Sequence, residues 1–537
     1  MGIIVGFPIV AIVLYAIFPD LNALSFAAPF SRITSIFKDT DLSEATFNSL
    51  QLATFVTLIS ALLGIKLGYL RAKAGNKYGK IWDILFLVPF LIPPYIGSLA
   101  WMQLLQKNGF VEQVLGFNLS DELYSFMGLV TVMSLHLFPL IYFSASKAFA
   151  MVGSRYSEVG KVFGASKLNL FFRIELPMIM PAVLSTALIV FILTIEEFGT
   201  PEILGRRFGL EVMVTSIHDK FTNWPIDLSG AAVLSLLLIL IAFCALQIQN
   251  LLSRRFNTEL DSQSIANADA QPSNFSLLYH FPLLLVAIVA VGLPIISILL
   301  SAFMLRVSGG LTLGNFGWSN FEAIFREGSD GLNAVYTSLS LALGASLITV
   351  VLGLVVTFVL IRLRPRGAFI LDFLSILPNS IPGMAIAVGL ILTWNLSFWP
   401  VSPYNTIWVL LIAYICLMLP YPIRMLSAAL KQLPESLDEA AYMNGASEIK
   451  VIYKILLPLL MPIALAAGFI VFAISTRELV SSLMLAPPGV STVATFVFSQ
   501  FDQGSINEGM AMSIFVIILS GAIITLGQTL QGRFFKQ

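Results

Sequence analysis

An all-α integral membrane protein, with about twelve transmembrane helices arranged as two parallel six-helix repeats, is the fold class that three observations predict. The chain is 57% hydrophobic and only 11% charged over 537 residues, with a mean hydropathy of +0.89, a composition that suits a bilayer and not water. Apolar runs lie near 2–18, 47–70, 82–105, 126–149, 178–199 and 229–252, and again near 279–304, 335–361, 370–394, 405–429, 459–485 and 509–530. Each is close to the ~20 residues that a hydrocarbon core about 30 Å thick requires. Segments of the first six runs recur among the second six at fixed spacing.

The first run starts at residue 2, with no basic stretch ahead of it and no small-residue cleavage site behind it. It reads as a retained membrane helix. Basic residues then set the orientation. Arg71, Lys73, Lys77 and Lys80 follow the second run, and Arg362, Arg364 and Arg366 follow the eighth. Two polar stretches add Lys147, Arg155, Lys161, Lys167 and Arg173, then Arg424, Lys431, Lys450 and Lys454. With Arg254, Arg255, Arg533 and Lys536 one side holds twenty, against nine on the other. The positive-inside bias puts both termini and both polar stretches in the cytoplasm.

Ile81-Trp82-Asp83 with Pro89 and Pro93 matches Ile370-Leu371-Asp372 with Pro378 and Pro382, 289 residues on. Both copies run in the same direction, which predicts a pseudo-two-fold axis along the membrane normal. The intervening prolines and glycines are of a kind that neighbouring helices tolerate in a membrane bundle. The chain accordingly divides into a first domain 1–253 with a hinge at 155–177, a polar cytoplasmic linker 254–276, and a second domain 277–537 with a hinge at 434–458.

The second hinge reads Glu439-Ala440-Ala441-Tyr442-Met443-Asn444-Gly445 and runs on to Ile455-Leu456-Leu457-Pro458. Asn444-Gly445 predicts a helix stop, since glycine takes the left-handed conformation without a Cβ clash. Ser447 is positioned to cap a second short helix, whose apolar residues Ile449, Ile452, Tyr453, Leu456 and Leu457 fall on one helical face. The first hinge repeats the spacing: Glu158, Gly164, Ile174 and Pro177 stand 281 residues before Glu439, Gly445, Ile455 and Pro458. It departs at Val159-Gly160, where the second has Ala440-Ala441, and at Glu175, which breaks the apolar face.

Several function classes lack their chemistry. No G-x4-G-K-[ST] loop occurs, so the chain has no P-loop for ATP. No extracytoplasmic stretch exceeds roughly 35 residues, short of the ~50 of a small domain. Cys244 and Cys416 sit inside apolar runs, and His136, His218 and His280 have no metal-ligand spacing. Neither G-x-S-x-G nor H-E-x-x-H is present, which removes the obvious intramembrane hydrolases. A formal net charge of zero gives no basic field for nucleic acid. Two ionisable clusters remain, Glu196-Glu197 near the end of the fifth run and Arg477-Glu478 in the eleventh. Charges at membrane depth are costly and therefore mark a candidate translocation pathway.

The spacing E-x5-G-x9-I-x-L-P, present twice, resembles the EAA motif of binding-protein-dependent ABC importer permeases. Glu197-Phe198-Gly199-Thr200-Pro201 with Leu204-Gly205, and Glu478-Leu479 through Leu483-Met484-Leu485-Ala486-Pro487-Pro488-Gly489, resemble the fused ferric-iron permeases; related thiamine and aminophosphonate permeases share much of this pattern. The resemblance implies a type I ABC importer permease fold in a bacterial inner membrane. It also implies that Glu158, Gly164, Ile174, Pro177, Glu439, Ala440, Ala441, Gly445, Ile455 and Pro458 couple to a cytoplasmic ATPase, a dimer. An extracytoplasmic solute-binding protein would deliver the solute. The chain itself would be no enzyme and hold no cofactor, ATP being bound by the partner. An ion-coupled secondary transporter also uses repeats and midplane sites, but it needs no matched pair of polar hinges.

Overall fold

A computed structural model describes residues 1–19, 21, 25–36, 40–256, 277–396 and 399–534. It is all-helical; among the described residues the only β pairing is an isolated bridge between Met304 and Phe316. Each of the twelve apolar runs is helical. Among the described residues nine form helices long and apolar enough to cross a membrane: α2 (Asp41–Lys73), α5 (Phe126–Val152), α6 (Leu168–Ile195), α7 (Leu228–Ser253), α8 (Tyr279–Phe303), α9 (Asp330–Leu363), α12 (Ile407–Gln432), α13 (Glu448–Ser475) and α14 (Ile506–Gly527). A shorter apolar helix, α1 (Gly2–Ile17), opens the chain.

The two remaining runs correct an expectation. The stretches 82–105 and 370–394 are not continuous helices but bent pairs, α3 (Tyr78–Leu91) with α4 (Pro94–Leu115) at 96°, and α10 (Ala368–Ser380) with α11 (Gly383–Trp394) at 116°. The prolines are not merely tolerated here. A residue before proline is pushed out of the helical region, and Ile92 (φ −86°, ψ 117°) and Ile381 (φ −118°, ψ 122°) are extended. Pro93 and Pro382 follow with ψ near 142° and 143°, and a new helix starts after each. Both halves break at the same repeat position.

The chain forms two compact units that draw on both halves of the sequence. One comprises Met1–Ser35, Ile217–Ile239 and Gly317–Gln537; the other comprises Ile36–Ser216 and Leu240–Phe316. In the first unit α1 packs on α11. In the second, α8 packs on α4, where the Ser297 hydroxyl donates to the Ala100 carbonyl at 2.7 Å. Each half's opening helix thus lies with the other half's third run. The excursion 217–239 joins the first unit through the ion pair of Asp227 with Arg32, and Asp227 also pairs within the excursion with Lys220 at 3.5 Å. Burial by itself would raise the Asp227 carboxyl, but the Gly230 amide and Arg32 guanidinium hold it below the usual carboxylate range.

Within each unit the helix pair that carries the hinge is in close contact. A Cβ at Gly64 of α2 would lie 2.7 Å from Ile141 Cβ of α5, and a Cβ at Gly353 of α9 would lie 2.8 Å from Pro422 Cβ of α12. Small residues let membrane helices approach this closely. Residues 64 and 353 are repeat equivalents, as are 141 and 422. The expected linker lies outside the described residues from 257 onward; residues 254–256 still continue the helix of α7.

Candidate functional site

Both hinges are helix, tight turn, helix. In the second, a helix Ser436–Met443 ends at Gly445 with φ +76°; in the first, the helix that begins at Phe126 runs to Val162 and ends at Gly164 with φ +77°. Such a φ disfavours any residue with a Cβ. The same hydrogen bond closes each turn: the Ala165 amide donates to the Gly160 carbonyl at 2.9 Å and the Ala446 amide to the Ala441 carbonyl at 3.0 Å. This is the six-to-one bond of a glycine-stopped helix. Nothing lies within 4 Å of where a Cβ would stand at either glycine.

After the turn the hinges differ in detail. Ser166 accepts from the Asn169 amide at 3.3 Å and so caps its helix. Ser447 occupies the equivalent N-cap but makes no side-chain cap bond, contrary to the expectation from its sequence. Each second helix contains a π-turn, Phe171–Glu175 and Ile452–Leu456, then enters the membrane helix that carries Pro177 or Pro458 at its start.

The π-turn also splits the face that helical spacing predicted. An extra residue in the turn rotates the side chains beyond it, so Ile449, Ile452, Tyr453, Leu456 and Leu457 do not stay together. Leu456 and the unforeseen Val451 are buried with Leu426, Leu430, Phe358 and Ile361. Met443, Ile449 and Tyr453 stay 89, 79 and 69% exposed, and their equivalents Val162, Leu168 and Phe172 are 84, 70 and 61% exposed. Each hinge therefore presents three large apolar side chains, at matching positions, that the chain does not cover. Glu439, Ala440, Gly445, Pro458, Gly164 and Pro177 are exposed beside them or half-buried, as are Ala441, Ile174 and Ile455. The side chain of Glu158 lies outside the described residues, as do those of Arg155, Lys161 and Lys167.

Ion pairs that sequence spacing did not predict hold each hinge to the membrane helices. Lys73, near the end of α2, pairs with Glu175 at 3.4 Å, and Glu175 is buried. The glutamate that interrupts the apolar pattern is thus a seated partner. Arg362, near the end of α9, pairs with Asp438 at 2.9 Å and Glu435 at 3.6 Å, and donates to the Leu433 carbonyl at 3.2 Å. Lys73 and Arg362 stand 289 apart, the offset of the flanking repeat, which is the signal that would have found them.

The carboxylates singled out just beyond α6 and α13 both bond backbone. The Thr200 amide donates to Glu197 Oε1 at 3.1 Å, and the Ser481 amide donates to Glu478 Oε1 at 3.0 Å. Each glutamate so holds the start of the short helix after it, Gly199–Leu204 or Val480–Leu485. Glu196, Glu197, Arg477 and Glu478 are all half-buried. Glu197 belongs to one compact unit and Glu478 to the other. Among the described residues no group of three or more His, Cys, Asp or Glu is placed to hold a metal ion.

A family model described as the binding-protein-dependent transport system inner membrane component matches residues 60–258 and again 349–537. The ferric transport system permease protein FbpB of Actinobacillus pleuropneumoniae is 26% identical over 89% of this chain and 69% of its own length. The Fe(3+)-transport system permease protein FbpB 2 of Haemophilus influenzae is 23% identical over 98% of this chain and 96% of its own. A permease named for 2-aminoethylphosphonate transport, PhnV of Salmonella typhimurium, is 28% identical over 42% of this chain and 84% of its own.

Proposed function

Because the chain belongs to the family of binding-protein-dependent transport system inner membrane components, we propose that it is the two-domain permease of an ATP-driven importer for ferric iron. An extracytoplasmic solute-binding protein delivers the iron, and a separate cytoplasmic ATPase pair supplies the energy. The observation that carries this reading is the pair of equivalent exposed surfaces, Val162, Leu168 and Phe172 in one hinge and Met443, Ile449 and Tyr453 in the other. Apolar side chains left uncovered in this number mark a protein interface, and two copies at repeat positions suit a partner that is itself a dimer. An ion-driven transporter has no use for them.

In this mechanism the ATPase subunits close on ATP and push the two hinges. Each short hinge helix is a rigid lever, and the open faces of Gly164 and Gly445 let the partner come up against backbone. The membrane halves swing outward and accept the solute. Iron is proposed because relatives matched over most of this chain are named for ferric transport. Ferric iron is a hard cation that takes oxygen ligands, and Glu197 and Glu478 are the candidate relay groups. A weak site is what a relay requires, since a tight one would hold the ion. The hinges face the cytoplasm, with both termini there, on the strength of the basic-residue bias.

The test is to purify the tagged chain from membranes, identify the ATPase that comes with it, and reconstitute both in liposomes with the candidate receptor. Iron-loaded receptor should raise ATP hydrolysis and drive iron uptake, and apo receptor should do neither. ATP-independent uptake would remove the importer reading; stimulation by a phosphonate-loaded receptor instead would remove iron. Single cysteines at Gly367 and Asn108 should label from the cytoplasmic and outer sides respectively, and the reverse pattern would overturn the orientation.

A further inference from the structure

We infer that residues 73 and 362 are positioning residues that join each hinge to its membrane helices, and that they take the load at opposite ends of the two hinges. This rests on the importer reading above. Arg362 is largely buried where three pieces meet: its own helix α9, the carbonyl of Leu433 just beyond α12, and the first hinge helix through Asp438 and Glu435. A push on Ser436–Met443 is thereby passed through a guanidinium to α9 and α12. Lys73 occupies the same repeat position on α2 but grips the second hinge helix, through Glu175.

The acid has changed place between the halves. Where the second hinge has Glu435 and Asp438, the first has Ser154 and Ser157; where the first has Glu175, the second has Leu456. Leu456 is as buried as Glu175, so its site needs no charge to be filled. A buried charge is tolerated only when paired, and in each half the cation finds whichever acid its hinge offers. The shared element is the tie between cation and hinge, not the identity or place of the acid. The remaining support is apolar in one case and aromatic in the other: Val451 and Leu456 rest on Leu426 and Leu430, while Phe171 meets Tyr69 at 5.0 Å with Lys73 over the Tyr69 ring.

The test uses the full chain with its co-purifying ATPase in liposomes. Arg362→Gln and Asp438→Asn should keep the ATPase bound and hydrolysing yet lower solute uptake per ATP by about tenfold, as loss of one buried partner frees the lever. The exchanged pair, Arg362→Asp with Asp438→Arg, should recover most of that ratio. Lys73→Gln and Glu175→Gln should act likewise, with rescue by Lys73→Glu with Glu175→Lys. Spin labels on cysteines at Met443 and Gly367 give a second readout that needs no ATPase: their distance distribution should broaden in Asp438→Asn and not in Glu175→Gln. An uptake-to-ATP ratio unchanged in Arg362→Gln, or exchanged pairs no better than the singles, overturns the inference. So does a label distance that stays narrow in Asp438→Asn. ATP-independent uptake by the unaltered chain would sink the importer reading instead, leaving the label distances to judge the tie alone.

Discussion

The helix entering the first hinge runs unbroken from Phe126 to Val162, whereas the one entering the second stops at Gln432 and restarts at Ser436. The cause is one residue. Pro434 stands where the first half has Gly153, and the residue ahead of it, Leu433, is extended with ψ 122°. The broken entry leaves the second hinge's first helix without a continuous helical link to the membrane. Arg362 bridges that gap through Asp438 and Glu435. In the first hinge the continuous helix supplies the link, and the ion pair of Lys73 with Glu175 secures the other arm. The two hinges keep the same glycine turn and the same exposed apolar positions, while the ion pairs that fasten them differ.

The largest effect tests what the hinges share. Gly445→Val forces a β-branched residue to φ +76°, at a cost of about 1–3 kcal/mol, in the turn proposed to dock the ATPase. The variant should insert normally and lose transport, as should Gly164→Val. Normal uptake by Gly445→Val at unchanged expression would end the equivalence of the two turns as coupling elements.

Next comes the outward surface. Tyr453→Ser and Leu168→Ser each remove an exposed apolar side chain from the surface of one hinge. Either should weaken capture of the ATPase by about tenfold, the scale of a truncated interface anchor, while thermal stability of the permease alone is unchanged. Retention of the ATPase in pull-down checks this. If only one substitution matters, the hinges divide the docking unequally.

A smaller effect is expected at Glu197 and Glu478. Gln in place of Glu197 or Glu478 keeps an oxygen for the Thr200 or Ser481 amide and removes only the charge. Iron uptake should fall several-fold with assembly intact, on the order of 1 kcal/mol at a site that only relays the ion. If both variants take up iron normally, the carboxylates are helix caps and nothing more.

The smallest effect sharpens the difference between the entries. Pro434→Ala removes the block to helix continuation, so the second entry should come to resemble the first. Transport should change by no more than about twofold, because Arg362 still ties the hinge, and the variant should be protected from proteolysis at 433–435. A rise in stability of roughly 1 kcal/mol or less is the companion expectation.

What the sequence determined by itself was local. Twelve apolar helical runs, the glycine stops at 164 and 445, and the repeat offsets are properties of short stretches, because hydropathy and backbone conformation act over a few residues. The breaks at Ile92 and Ile381 run against the continuous spans that hydropathy predicts, although Pro93 and Pro382 bar the residue ahead of each from the helix. Tertiary structure decided the rest. Nothing in α1 announces that it packs with the second half, since an apolar helix in a bilayer finds its neighbour by shape and close approach rather than by hydrophobicity. That Glu175 is a buried partner rather than a flaw depends on Lys73, 102 residues away. Which of the hinge's apolar residues turn inward was settled by a π-turn and by the seat that α9 and α12 offer Val451 and Leu456; residue spacing alone carries no information about what lies opposite.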